Sequence, residues 1–206
     1  MSIITSRPVW ALAAAQTGCV FAFAILFTQI PTYLNKVMDF NIKDNSLLSS
    51  LPYLSFWILG QTMSFVSDYI INKKIVSPGA ARKIFSSIGL FVPSAALILL
   101  GYTKADQTIQ AVCLLVASVG FLSVSNLGWA LNHMDLSPNY AGLLMGLINA
   151  LSNIFSIIAP LSAQILITDE KNPAEWRIIF FLAAGFNICA AMIFNIFGSG
   201  KVQHWN

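Results

Sequence analysis

The stretch 140-YAGLLMGLINALSNIFSIIAPLSAQILI-167 decides how this chain is read. It contains no Asp, Glu, Lys, Arg or His. A hydrocarbon core about 30 Å thick is crossed by about 20 apolar residues of helix, and this run exceeds that length. Five further runs of similar character lie along the chain. In chain order the six spans cover about residues 9–30, 47–71, 84–102, 109–131, 140–167 and 176–197. None carries an ionisable residue in its middle. With short connections they use nearly all of the 206 residues. No soluble domain of useful size fits beside them. Only 9% of residues are charged and 57% are hydrophobic, against about 25% charged in soluble domains. The expected fold class is all-α and integral to the membrane, with six transmembrane helices and the lipid bilayer as an obligatory partner.

The connections alternate in charge. Those after spans 1, 3 and 5 carry Asp39 and Asp44, Asp106, and Asp169, Glu170 and Glu175. The one after span 2 carries Lys73, Lys74, Arg82 and Lys83. The positive-inside rule places that basic loop in the cytoplasm, and six spans then place both termini there too. Within the loop, Ser77-Pro78-Gly79 reads as a turn. The first apolar run is too long for a cleavable signal peptide, so none is expected. No Asn-x-Ser/Thr sequon occurs.

Several function classes are disfavoured. A net charge of +3 with scattered basic residues argues against nucleic-acid binding. Cys19, Cys113 and Cys189 all lie in apolar runs, which is no disulfide framework. His133 and His204 cannot build a metal site alone, so no metal or cofactor is expected. Enzyme signatures are missing: there is no nucleophile elbow and no His-Glu-x-x-His pair. Gly198-Ser199-Gly200-Lys201 lacks the upstream glycine and spacing of a phosphate-binding loop. If the chain moves a solute, an ion gradient or the solute's own gradient must drive it.

The candidate functional residues are polar groups inside the spans. On span 5, Gly142, Gly146, Asn149, Asn153, Ser156 and Pro160 share one helical face. Gly142-x-x-x-Gly146 is a helix-packing signature. Asn149 and Asn153 need partners in a medium without water, either across a helix interface or from a solute in a cavity. On span 2, Tyr53, Trp57, Gly60 or Gln61, Ser64 and Asp68 form a second stripe. Gln61 lies mid-span, where an unpaired amide is costly. Span 1 offers Gln16, Val20, Phe23 and Phe27 on one face and meets Pro31, which tends to kink or stop a helix. Span 4 ends with Asn126, Gly128, Trp129, Asn132 and His133. His133 near Asp135 is either a proton site or a plain hydrogen-bonding group. The spacing also allows two sets of three spans, as in transporters built from inverted repeats.

Seven segments carry a resemblance. They are Ile4-Thr5-Ser6-Arg7-Pro8-Val9-Trp10-Ala11, Pro31-Thr32-Tyr33-Leu34, Leu51-Pro52-Tyr53-Leu54, Ala81-Arg82-Lys83-Ile84, the Asn132–Gly142 stretch NHMDLSPNYAG, Trp176-Arg177, and the ending FGSGKVQHWN from Phe197. Together they resemble the anion:cation symporter branch of the major facilitator superfamily, which includes type I sodium-phosphate cotransporters, sialin and vesicular glutamate transporters. The Asn-His-x-Asp-x-x-Pro and Gly-Ser-Gly-x-x-Gln-x-Trp patterns are the most specific. The resemblance covers essentially the whole chain, but only the second half of such a transporter.

It implies one six-helix half of a twelve-helix fold. Residues 1–8 would end a central cytoplasmic loop, 9–198 form the bundle, and 199–206 form a short cytoplasmic tail. The function it implies is secondary transport of a small anionic solute, inorganic phosphate or a small organic carboxylate, coupled to Na⁺ or H⁺. Most charged substrate and proton residues of the family lie in the first half, which accounts for their absence here. Phe23, Gln61, Asn126, Asn149 and Asn153 would form one wall of the central site. Asp68 resembles the aspartate of the superfamily's loop motif, which fastens the cytoplasmic gate, although the glycine and basic pattern around it is degenerate. Some members that carry organic anions have an arginine on helix seven. Cys19 stands there, which argues against a glutamate-type substrate. The partner would be the missing N-terminal half or another copy. The alternatives are a truncated or regulatory half without transport of its own, and a small homo-oligomeric channel.

Overall fold

A computed structural model describes residues 3–39 and 42–206, with side chains for all of these except 42–49. The Lys43 and Asp44 charges and the start of span 2 at Leu47 thus lie outside the described side chains. Six helices follow one another: α1 Arg7–Lys36, α2 Ile42–Asn72, α3 Pro78–Leu100, α4 Thr108–Leu136, α5 Ala141–Leu166 and α6 Pro173–Phe197. Among the described residues, α1, α3, α4, α5 and α6 are long and apolar enough to cross a membrane. α2 is as long, but Gln61, Thr62, Ser64, Ser67 and Asp68 crowd its second half.

Helices overrun the apolar runs where local chemistry permits. α1 passes through Pro31 and ends at Lys36. The proline cannot donate to the Phe27 carbonyl four residues back. The Tyr53 hydroxyl of α2 donates to that carbonyl instead, at 3.3 Å. Ser77-Pro78-Gly79 is a helix start rather than a turn. The Ser77 Oγ accepts from the Ala80 N–H, and Pro78, which has no N–H to leave unpaired, opens the helix.

The strong packing pairs are α3 with α4, α2 with α4, α1 with α6, α1 with α5, and α3 with α6. Exchanging α1–α3 for α4–α6 maps this set onto itself. α2 on α4 becomes α5 on α1, and α3 on α4 becomes α6 on α1. Such packing is what two interleaved three-helix repeats produce. α1 and α4 are therefore central. α2 and α5 each lean mainly on one central helix and leave broad faces open.

Glycines set the close approaches, but not the glycines that the sequence pattern suggests. Gly142 and Gly146 have open space where a Cβ would stand. The tight contacts are elsewhere. A Cβ on Gly89 of α3 would lie 2.1 Å from the Ser125 backbone N of α4. One on Gly128 would lie 2.5 Å from the Arg82 carbonyl oxygen. One on Gly18 of α1 would lie 2.5 Å from the Ala190 Cβ of α6. Without side-chain atoms at these points the backbones come close enough for dispersion to hold helices together in lipid.

Candidate functional site

The polar face of α5 meets α1. Gln16 is only 3% exposed, and its Nε2 donates to the Asn149 Oδ1. One turn along, the Thr17 and Ser152 hydroxyls pair at 3.2 Å. Asn149 thus acts as an interhelical acceptor. Its own amide N–H groups have no partner among the described residues. Asn153, one turn further on, is exposed and also unpartnered there. Gln61 is exposed on α2, and Asn126 is half-buried on α4. Phe23 is half-buried between α1 and α2, with its ring 5.4 Å from that of Phe56 and 6.0 Å from that of Phe27. Contact thus joins Asn149 to Gln16 and Phe23 to Phe56. Gln61, Asn126 and Asn153 stand on separate helices without a bond to one another.

Deleting the Asn149 amide is expected to weaken the α1–α5 contact. Asn149→Leu should show a coupling of about 1 kcal/mol with Gln16→Leu in a double-mutant cycle, within the range of interhelical amide bonds in lipid. Additive losses in denaturant-induced unfolding would exclude the bond as a stabilising element.

The best-formed grooves are lined by other residues. A groove of about 360 Å³ lies between α1, α5 and α6, lined by Trp10, Ala14, Gly18, Phe155, Phe186 and Ile193 among others. Its wall is almost wholly apolar and uncharged, and the Thr17 hydroxyl on it is already paired with Ser152.

Three features at the Arg7, Asn72 and Phe197 ends escaped the sequence reading. First, the Arg82 Nε donates to the Asp135 Oδ2 at 2.7 Å, and its Nη1 donates to the Leu127 carbonyl at 3.1 Å. The two side chains are 11% and 20% exposed. A signal was available. α3 and α4 are consecutive and antiparallel, so opposite charges at the start of one and the end of the other fall together. His133 does not pair with Asp135. It is buried, with Nδ1 3.0 Å from its own helix's Ala130 carbonyl.

Second, the segment after α6 folds back. The Asn132 Nδ2 donates to the Ser199 carbonyl at 2.9 Å, and the Gln203 N–H donates to the Leu136 carbonyl at 2.9 Å. The Asn206 Oδ1 accepts from the Ser137 hydroxyl and the Asn139 N–H, and Trp205 packs on the core. The Gly-Ser-Gly-x-x-Gln-x-Trp ending is therefore a clasp over the junction of α4 and α5. Third, Lys83 reaches α6 and donates to the Asn195 carbonyl at 2.8 Å. Asp68, by contrast, is exposed and has no hydrogen-bond or ionic partner among the described residues. Cys19 is buried against α4, where the Ser125 hydroxyl donates to its sulfur at 3.3 Å.

Two sets of three helices are what the spacing of the spans allows, and the packing pairs fit them. The sequence profile of the Major Facilitator Superfamily matches residues 1–160.

The chain belongs to the major facilitator superfamily.

Within that superfamily it is 40% identical over its whole length to a putative inorganic phosphate cotransporter of Drosophila ananassae, covering 43% of that protein. It is 34% identical to human sialin, over 98% of this chain and 41% of that one. It is 31% identical to mouse sodium-dependent phosphate transport protein 1, over 99% of this chain and 43% of the other. These relatives fall in the branch that the motifs resemble. The chain spans about two fifths of the length of the curated relatives it matches. As a major facilitator with long apolar helices it is a multi-pass membrane protein, of a family of transporters rather than enzymes.

Proposed function

We propose that this chain forms the C-terminal half of a secondary transporter for a small anion, inorganic phosphate or an organic carboxylate, driven by Na⁺ or H⁺. The observation that carries the reading is the 40% identity, over the entire chain, to a protein named as a putative inorganic phosphate cotransporter. The broad faces of α2 and α5 support it, because a second six-helix half can cover them. In this reading Phe23, Gln61, Asn126, Asn149 and Asn153 shape one wall of the pathway. They meet the solute with amides and a ring, and the charge of the anion is met from the other half. Both termini are cytoplasmic, residues 1–8 lead in from a central loop, and two bundles rock about the site.

The test is uptake of labelled phosphate into proteoliposomes, with and without Na⁺ or pH gradients, by this chain alone and by a carrier with both halves. Gradient-driven uptake only with both halves is the expected result. Uptake by the chain alone would replace it with a homo-oligomeric transporter. Gradient-independent flux would point to a channel. No uptake in either arm, with the protein folded, would overturn the phosphate reading and move the test to labelled carboxylates.

Asp68 is assigned to the cytoplasmic gate, where its free carboxylate can reach a donor on the other half. Losing one hydrogen bond to a charged group costs about 1.5–3 kcal/mol, so Asp68→Asn in the two-half carrier should lower uptake by about tenfold or more. Lys73→Gln, on the exposed connection, should lower it less. Equal uptake by both variants and the parent would remove Asp68 from the gate.

A further inference from the structure

We propose that the groove between the first turn of α3 and the segment after α6 holds the headgroup of an anionic phospholipid. The groove has a volume of about 440 Å³, and Lys83 and Lys201 line it, with residues 77–80 on one side and 198–200 on the other. It exists because two glycines let the segment cross the helix: a Cβ on Gly200 would stand 2.2 Å from the Gly79 Cα.

The charge in this groove is uncompensated. Among the described residues the salt bridges are Lys36 with Glu170 and Arg82 with Asp135, so neither groove lysine has a carboxylate. Lys83 spends one of its three donors on the Asn195 carbonyl and keeps two. The same end of the bundle carries Arg7, Lys73, Lys74, Arg82, Lys83 and Lys201 against only Asp68 and Asp135. Asp135 is already taken by Arg82. Lys83 is half-buried, where an ammonium without a counter-charge is costly and an anion relieves that cost, while the exposed Lys201 adds a second positive charge at the mouth.

The border of the groove selects the kind of anion. Ile84, Phe197 and Val202 adjoin lining residues in sequence and are exposed, as is Ile75 on the connection before Ser77. A cationic pocket with apolar side chains beside it, at the end of membrane helices, fits an amphiphile. The phosphate sits on the lysines and the acyl chains run along the bundle. A free phosphate ion would use the lysines and leave the apolar border idle. The inference does not depend on what the protein transports.

The experiment is lipid retention by the full chain in neutral detergent, read by native mass spectrometry after exposure to phosphatidylserine or phosphatidylcholine. The parent is expected to retain phosphatidylserine preferentially. Each of Lys83→Gln and Lys201→Gln should cut that preference by about fivefold. Lys104→Gln, at the opposite ends of the helices, should leave it unchanged. Among the described residues Lys201 makes no side-chain bond to another helix, so that variant keeps the test open if Lys83→Gln does not fold. Added salt should weaken retention, as screening requires. Equal retention of the two lipids would overturn the proposal, as would an equal loss in the Lys104 and Lys201 variants. Displacement of the lipid by low concentrations of inorganic phosphate would reassign the groove to the free ion and overturn it too.

Discussion

Asp135→Ala is expected to destabilise the folded bundle by about 3–5 kcal/mol, because it strands a guanidinium that is almost out of reach of solvent. Arg82 holds Asp135 at 2.7 Å and the Leu127 carbonyl at 3.1 Å, so two acceptors on α4, two turns apart, fix its position. Removing the carboxylate leaves the charge in place and takes away its partner. Removing both charges is a different experiment. Arg82→Met with Asp135→Leu deletes the desolvation cost together with the attraction, and should recover most of the stability. The readout is thermal or denaturant-induced unfolding of purified protein, with the two single variants and the double compared in one cycle. If the double variant is no better than the worse single, the pair is not an isolated ionic contact and the argument fails.

Gly89→Ala should lose about 3 kcal/mol, at the upper end of the usual penalty for overpacking. A single methyl group is added, but its nearest neighbour is the Ser125 backbone N at 2.1 Å, with the Ser125 Cα at 2.5 Å. A flexible side chain could swing away from such a contact. A helix backbone can move only by separating α3 from α4, which loosens the Gly128 contact with Arg82 in the same stroke. Gly146→Ala is the matched control. Open space surrounds that position, and alanine is the better helix former by about 0.5–1 kcal/mol. The two variants should therefore shift the melting temperature in opposite directions. A shift of the same sign and size would show that the α3–α4 separation is not set at Gly89.

These cases show what the sequence could and could not convey. Six apolar runs announce six helices because lipid demands that length and composition, and no tertiary information is needed. The family motifs add the half-transporter architecture. Partners across helices are harder. Gly142-x-x-x-Gly146 has the spacing of a packing face, yet spacing cannot say whether another helix is there. The real close approaches, at Gly89 and Gly128, carry no repeat that marks them. Gln16 and Asn149 both stood out as amides within apolar spans, but their meeting depends on α5 lying against α1 rather than beside α4. That choice follows from the interleaving of the two triplets, a non-local property. Arg82 and Asp135 were legible in principle from antiparallel geometry.

The clasp formed by the segment after α6 bears on the order of synthesis. Ser199, Gln203 and Asn206 bind Asn132, Leu136, Ser137 and Asn139, which precede them by more than a full helix pair. They leave the ribosome after all six helices have. Insertion of these helices can therefore run ahead, while the junction of α4 and α5 waits, uncapped, for the segment after α6 to emerge. A chain interrupted near Phe197 would have all six of these helices in place and still lack the bonds that close one face. That interval is when an assembly factor or a degradation pathway has its clearest means of telling a finished bundle from an unfinished one.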